Sequence, residues 1–161
     1  MSKIKKFASV KIKKITGGKD PARLIEEFLA RRGFDPDECN KDKTVQNARW
    51  MVPVSEDEEL EILVEGLNRH PETTYYMGLN VATVPVRGST DLLAAALEIA
   101  DGLVGVKVSL VGHYLVLSAS FGSSGASLED LDYSFEIITA QKEWFREALL
   151  DEMGWDELPE E

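Results

Sequence analysis

The stretch that decides the fold is Ser89–Phe121, STDLLAAALEIADGLVGVKVSLVGHYLVLSASF. Its first part predicts a helix, because Ser89 can cap the free amides and Gly102 ends the apolar spacing. The predicted buried face of this helix consists of Leu92, Leu93, Ala96, Leu97 and Ala100. Apolar and polar residues then alternate on both sides of Gly112-His113, which predicts a hairpin with a two-residue turn.

A three-strand antiparallel meander is predicted upstream of that stretch. Large apolar residues recur at every second position in three short runs, namely 50–54, 60–64 and 75–81. Pro53 indicates that the first strand lies at an edge or leaves the sheet at this residue, because proline has no N–H to donate to a neighbouring strand. Before the meander, Asp20-Pro21 opens a helix that ends at Gly33, and residues 35–42 are predicted to form a polar loop.

A long last helix is predicted over residues 127–153. Ser127 is its expected N-cap, with Asp130 in the position of a capping box. Unbroken, it would measure ~40 Å at 1.5 Å per residue, so we expect either a bend near Thr139-Ala140 or an end that projects towards a partner. The predicted organisation is a basic arm (1–19), one domain (20–153) and an acidic tail (154–161).

The distribution of charge limits the classes of function. The net charge of the 161 residues is −11, but residues 1–19 hold seven lysines and no acid, so residues 20–161 carry −18. Such an acidic body repels phosphates, and no nucleic acid is expected as a partner. Cys39 is the single cysteine, which excludes an intrachain disulfide. It fits a reducing compartment, so a cytoplasmic location is predicted.

The Lys-rich arm leaves several interpretations open. It can be a solvated segment, or it can fold against the acidic body of its own or a neighbouring subunit. It can also anchor the protein to an anionic membrane surface, although Lys11 interrupts the apolar side of its helical wheel. Nucleic-acid binding by the arm is the remaining option.

The residue types that usually carry catalysis or bind metals are sparse. His70 and His113 lie in predicted turns, away from any cysteine or carboxylate at metal-ligand spacing. Residues 35–46 lack the central glycine and the final glutamate of a calcium loop. Gly122-Ser-Ser-Gly125 before a helix can be an anion cradle, but a linker is favoured because no basic residue flanks it. We therefore predict no catalytic residue, cofactor or metal, and an enzyme assembled through space is the third hypothesis.

The order helix, three strands, helix, two strands, helix over residues 20–153 resembles the type III secretion chaperone-like fold. It is most similar to the YbjN-like branch, described as sensory transduction regulators. The segments that carry the resemblance are Asp20–Gly33, Trp50–Val81, Ser89–Phe121 and Ser127–Met153. The arm 1–19 departs from the family pattern.

The resemblance implies an α+β protein that often dimerises and binds other proteins rather than catalysing a reaction. A client would lie as an extended chain over apolar patches and sheet edges. The middle helix is a usual dimer element in that fold, which makes Ala94, Ala95 and Glu98 the candidate dimer contacts. Aromatic residues and methionine favour binding surfaces, so the candidate client-binding residues are Trp50, Met51, Tyr75, Tyr76 and Met77. The leading hypothesis is a dimeric, non-enzymatic binding module, and the alternative is a peripheral membrane adaptor that uses the arm.

Overall fold

A computed structural model describes residues 20–69 and 72–159. Its elements are α1 (Pro21–Arg31), α2 (Pro36–Cys39), β1 (Asn40–Lys43), β2 (Asn47–Pro53), β3 (Glu59–Glu65), a 3-10 turn (Leu67–Arg69), β4 (Thr74–Thr83), α3 (Ser89–Ala100), β5 (Lys107–Val111), β6 (Tyr114–Gly122) and α4 (Leu128–Met153). The strands form one sheet in the order β1-β2-β3-β4-β6-β5, and all neighbouring pairs are antiparallel. The α+β class is therefore confirmed. The predictions for the arm 1–19 and for His70 lie outside the described residues.

The core lies between one face of the sheet and the helices. Alternate strand residues such as Trp50, Ile62 and Met77 are fully buried there, together with Phe28 of α1 and Phe145 of α4. The opposite face of the sheet carries Met51, Leu63 and Tyr76, which are only partly buried and do not belong to the core. Period-two alternation in β2, β3 and β4 thus produces one apolar and one mixed face, as expected for an antiparallel sheet.

The predicted polar loop 35–42 is instead a helical turn followed by an edge strand. Asp35 caps α2 by accepting a hydrogen bond from the Asp37 amide at 2.9 Å, and β1 then pairs with β2. The meander therefore has four strands rather than three. Pro53 lies beyond the part of β2 that β1 covers, so its nitrogen needs no partner on that side.

The buried face of α3 differs from the predicted one. Leu92, Ala95 and Ala96 are buried, whereas Leu97 is 71 % exposed. Eight of the twelve helix residues are apolar, so their spacing is compatible with more than one buried face and does not determine which face packs against the core. The helix also begins one residue earlier than predicted, because Gly88, at φ +80°, takes the cap position in place of Ser89, without any side-chain cap.

The hairpin and the start of the last helix match the predictions. Val111 pairs with Tyr114 across a turn in which Gly112 has φ +62°, and Ser127 forms the expected capping box with Asp130. α4 runs without a break from Leu128 to Met153, and the Thr139 hydroxyl donates within the helix to the Phe135 carbonyl at 2.9 Å.

Beyond α4, Trp155 and Leu158 pack against the core. None of the helices in the described part of the chain combines the length and the apolar character needed to cross a bilayer.

Candidate protein-binding surface

Exposed apolar side chains concentrate around α3 and β5. Among the described residues, eight large apolar side chains are exposed, and two of them, Val45 and Val86, lie in separate loops. The other six are Leu97, Val104, Leu110, Val111, Tyr133 and Trp144. We call these six residues the α3–β5 surface. Single exposed apolar residues are ordinary, but several on neighbouring elements mark an interaction site.

The loop between α3 and β5 is held tightly on α4. The Gln141 side chain donates to the Val104 carbonyl at 2.7 Å and accepts from the Val104 amide at 3.0 Å. Two glycines permit this approach, because a Cβ on Gly102 would lie 2.9 Å from the Trp144 ring and one on Gly105 would lie 3.1 Å from the Tyr133 hydroxyl. The loop thus presents Val104, which is 66 % exposed, beside two aromatic residues of α4.

The strand β5 provides an edge next to this loop. It pairs only with β6 in the described structure, so the backbone groups along its other side have no strand partner. Leu110 and Val111 at its end are about half exposed. An edge of this kind can accept an added strand, whereas the opposite edge, β1, is protected by its lysines and aspartate.

The candidate dimer residues do not all reach the surface. Ala94 and Glu98 are exposed on α3 beside Leu97. Ala95 is only 5 % exposed and packs in the core of its own subunit, so the prediction for Ala95 is wrong. The sequence signal that was missed is Leu97, which lies on the outer side of α3.

The five candidate client-binding residues divide between the two faces of the sheet. Trp50, Tyr75 and Met77 are at most 1 % exposed and belong to the core, so they are unavailable to a client and the prediction for them is wrong. Met51 and Tyr76 lie on the mixed face and are partly exposed. The period of two already separates these sets, because neighbouring strand residues cannot point to the same side.

Tyr76 lies across Gly78 on the mixed face. A Cβ at Gly78 would collide with the Tyr76 ring, so the glycine leaves the space that the ring fills. Burial raises the pKa of the Tyr76 hydroxyl, and the nearby Glu61 carboxylate raises it further. The ring therefore acts as a cover for this part of the sheet, with one side available for contact.

A groove of about 900 Å³ lies beside the β2–β3 turn. Its lining comes from β2, β3, β4, β6, α4, the β2–β3 turn and residues 157–159. Within it, the Glu58 carboxylate binds the Lys142 ammonium at 2.5 Å and also pairs with Arg146. Arg146 in turn donates to the Val81 carbonyl at 3.0 Å, where the register of β4 shifts.

The environment of Glu58 keeps its carboxyl group ionised. Burial opposes ionisation, but hydrogen bonds and charge from Lys142 and Arg146 outweigh it, so the pKa of Glu58 lies below its ordinary value. The pKa of Lys142 is raised, because its pairing with Glu58 and Glu143 outweighs the opposing effect of burial. This cluster joins the β2–β3 turn to α4.

The described residues include no group of three or more histidine, cysteine or acidic side chains that could hold a metal ion. Burial raises the pKa of the Cys39 thiol, which disfavours the reactive thiolate. At the Gly122–Gly125 segment, the Asp130 carboxylate accepts from the Ser127 amide and from the Ser127 hydroxyl, both at 2.8 Å. A carboxylate thus occupies the helix N-terminus where an anion would bind, which favours the linker interpretation.

Solved structures resemble this arrangement over most of the chain. A chain of the HopA1–SchA chaperone–effector complex matches with a TM-score of 0.52 and 13 % identity, covering 78 % of this chain and 91 % of that one. A chain of the ExsC–ExsE complex matches with a TM-score of 0.54 and 14 % identity, covering 80 % and 92 %. A chain of the heterodimeric ExoU–SpcU complex, from the type III secretion system of Pseudomonas aeruginosa, matches with a TM-score of 0.50 and 15 % identity, covering 78 % and 97 %.

This chain has a type III secretion chaperone-like fold. At these identities the likeness establishes the fold and not the activity. No protein-family model and no curated protein sequence matches the chain.

Proposed function

We propose that this protein is a non-enzymatic, homodimeric binding module that holds a protein client in a chaperone-like manner. The α3–β5 surface carries the proposal, because it concentrates exposed apolar side chains on elements held rigidly against α4. The neighbours of the same fold include a chaperone–effector complex, which supports a protein client. Membership of the YbjN-like branch and a cytoplasmic location stay predictions.

The dimer contact is assigned to the α3–β5 surface. A two-fold interface uses the same residues of both copies, so each apolar residue of the surface is buried in both subunits and contributes its area two times. Leu97 projects from the middle of the helix, and the small side chain of Ala94 beside it permits close approach of a second α3. The exposed Glu98 lies at the margin, where a charge can stay hydrated.

The client contact is assigned to the mixed face of the sheet. Met51, Leu63 and Tyr76 are partly exposed there, and none of them belongs to the core. Methionine and tyrosine suit contact with varied sequences, because thioether and ring surfaces adapt to different apolar partners.

The dimer is tested by light scattering coupled to size exclusion. The wild type is expected to elute as a dimer and Leu97→Glu as a monomer, because two carboxylates would be buried at the two-fold axis. Val86→Glu is the matched control, since Val86 is 99 % exposed in a loop outside the surface, and it should remain dimeric. A monomeric wild type, or a dimeric Leu97→Glu variant, would refute the dimer contact.

The client contact is tested by photo-cross-linking in cells. A benzophenone side chain placed at position 76 should capture a protein client, whereas one at Glu129, which is exposed at the start of α4, should not. Equal capture from both positions, or none from position 76, contradicts the assignment of the mixed face.

A further inference from the structure

We propose that the acidic groove beside the β2–β3 turn binds residues 1–19 of the same chain. The proposal requires neither a dimer nor a client, although Met51 belongs both to the groove and to the proposed client contact. It rests on the chemistry of the groove, on the composition of the arm and on the distance that the arm must span.

The groove combines an apolar floor with an acidic rim. Partly exposed side chains of Met51, Leu150 and Leu158 form the floor, and Leu79, Val81 and Ala82, which are at most 8 % exposed, complete the apolar lining. The lining contains one basic residue, Arg146, and six acidic residues. The acidic residues are Asp57, Glu58, Glu59, Glu143, Glu147 and Glu157. A concave surface with one sign of charge attracts ligands of the opposite sign.

Part of this negative charge has no partner in the described structure. Glu58 and Glu143 are neutralised by Lys142 and Arg146. The other four, Asp57, Glu59, Glu147 and Glu157, form no ion pair with any described residue and are exposed. A ligand that supplies several positive charges would relieve their mutual repulsion.

The arm offers the matching chemistry. It holds seven lysines without an acid, and five large apolar residues are spread among them, namely Ile4, Phe7, Val10, Ile12 and Ile15. Lysine pairs with carboxylates through its ammonium group while its methylene stem covers apolar surface. A segment of this composition suits an apolar floor within an acidic rim better than either bare solvent or the basic edge β1.

The arm is long enough to reach the groove within one subunit. It ends one residue before Asp20, the cap of α1, and the carbonyl of Pro21 accepts a hydrogen bond from the Tyr75 hydroxyl at 3.3 Å. The groove begins further along the same strand, at Leu79 and Val81, which is roughly 13–20 Å from Tyr75 at ~3.3 Å per residue. An extended segment of 19 residues spans up to ~60 Å.

Zero-length carbodiimide cross-linking of the full-length protein tests the proposal, since it joins lysine amines to carboxylates in direct contact. Equal amounts of ¹⁴N- and ¹⁵N-labelled protein are mixed, unfolded in urea and refolded together before the reaction, so that any dimer contains both labels. We expect same-isotope cross-links from the arm lysines to Asp57, Glu59, Glu147 and Glu157. Their yield should exceed that to Glu65 and Glu152 at least about fivefold, because binding raises the local concentration of the amines. Mixed-isotope cross-links would assign the groove to the arm of a second copy and overturn the proposal.

Charge removal supplies the second measurement. In the double variant Glu59→Gln/Glu147→Gln, the cross-links to the retained Asp57 and Glu157 should fall roughly threefold or more, because two attractive charges are lost. The matched control is Glu65→Gln/Glu152→Gln, which removes charges from the same strand and the same helix outside the groove and should leave the yield unchanged. Equal yields in both double variants, or equal labelling of all exposed acids in the wild type, would overturn the proposal.

Discussion

Replacing Glu58 with glutamine is expected to lower the free energy of unfolding by about 2 kcal/mol. The Lys142 side chain is only 12 % exposed, and its strongest partner is the Glu58 carboxylate at 2.5 Å. Leaving a buried charge without its partner costs ~3–5 kcal/mol, whereas a fully exposed pair is worth under ~1 kcal/mol. Glu58 is 20 % exposed, and Glu143 stays 3.1 Å from Lys142, so the loss lies between these limits.

Urea unfolding at fixed protein concentration measures this loss. Glu61→Gln is the control, because it removes the exposed ion pair with Arg49 and should change stability by less than ~1 kcal/mol. Adding Lys142→Met to Glu58→Gln should restore part of the loss, since no unpaired ammonium then remains buried. A loss below ~0.5 kcal/mol for Glu58→Gln at pH 7 would refute the role assigned to the cluster.

The pH dependence provides an independent check on the same residue. Burial alone would raise the pKa of Glu58, but Lys142 and Arg146 hold it below the ordinary carboxyl value in the folded protein. A carboxyl group with a lowered folded pKa stabilises the protein fully above its unfolded pKa of ~4.3 and loses that effect as the pH falls through the folded pKa. The difference between wild type and Glu58→Gln should therefore be constant above about pH 5 and shrink below about pH 4. An unchanged difference at pH 3 would contradict the proposed ionisation.

Two further substitutions test packing and turn geometry. Arg32→Met should lower stability by about 1–2 kcal/mol in urea unfolding, because Arg32 pairs with Asp132 at 2.9 Å and its guanidinium lies 4.3 Å from the centre of the Phe135 ring. The exposed neighbour Arg31 is the control, and an equal loss from Arg31→Met would contradict this role. Gly112→Val should cost about 1–2 kcal/mol, since φ is +62° in the hairpin turn, and an unchanged melting temperature would show that the turn adapts.

The parts of the fold that could be predicted are those in which neighbouring residues in the sequence permit only one backbone conformation. Ser127 with Asp130, and Gly112 at a two-residue turn, each specify a single backbone arrangement, and both were confirmed. The prediction of a polar loop over residues 35–42 was wrong because α2 and β1 are short and polar. Pairing with β2 stabilises β1 more than the strand propensity of its own residues does.

The candidate site was harder to predict, because exposure depends on which elements meet. Leu97 and Leu92 are the same residue type in the same helix, yet one is 71 % exposed and the other is buried. Packing of the helix against α4 and the sheet determines which of the two leucines is buried, and the local sequence pattern does not contain that information. Residue type alone groups Trp50 with Met51, although their adjacent positions in a strand place them on opposite faces.

The sheet order has a consequence for the rate of folding. β1 to β4 pair with neighbours in sequence, and so do β5 and β6, but the pairing of Thr83 with Tyr114 joins β4 to β6 across about 30 intervening residues. Closing a loop of that length costs about 3 kcal/mol of chain entropy before the contacts form. We therefore expect the meander and the hairpin to form as two local units, with their union in the transition state setting the folding rate. Weakening β4–β6 contacts should slow folding, whereas weakening β1–β2 should mainly speed unfolding.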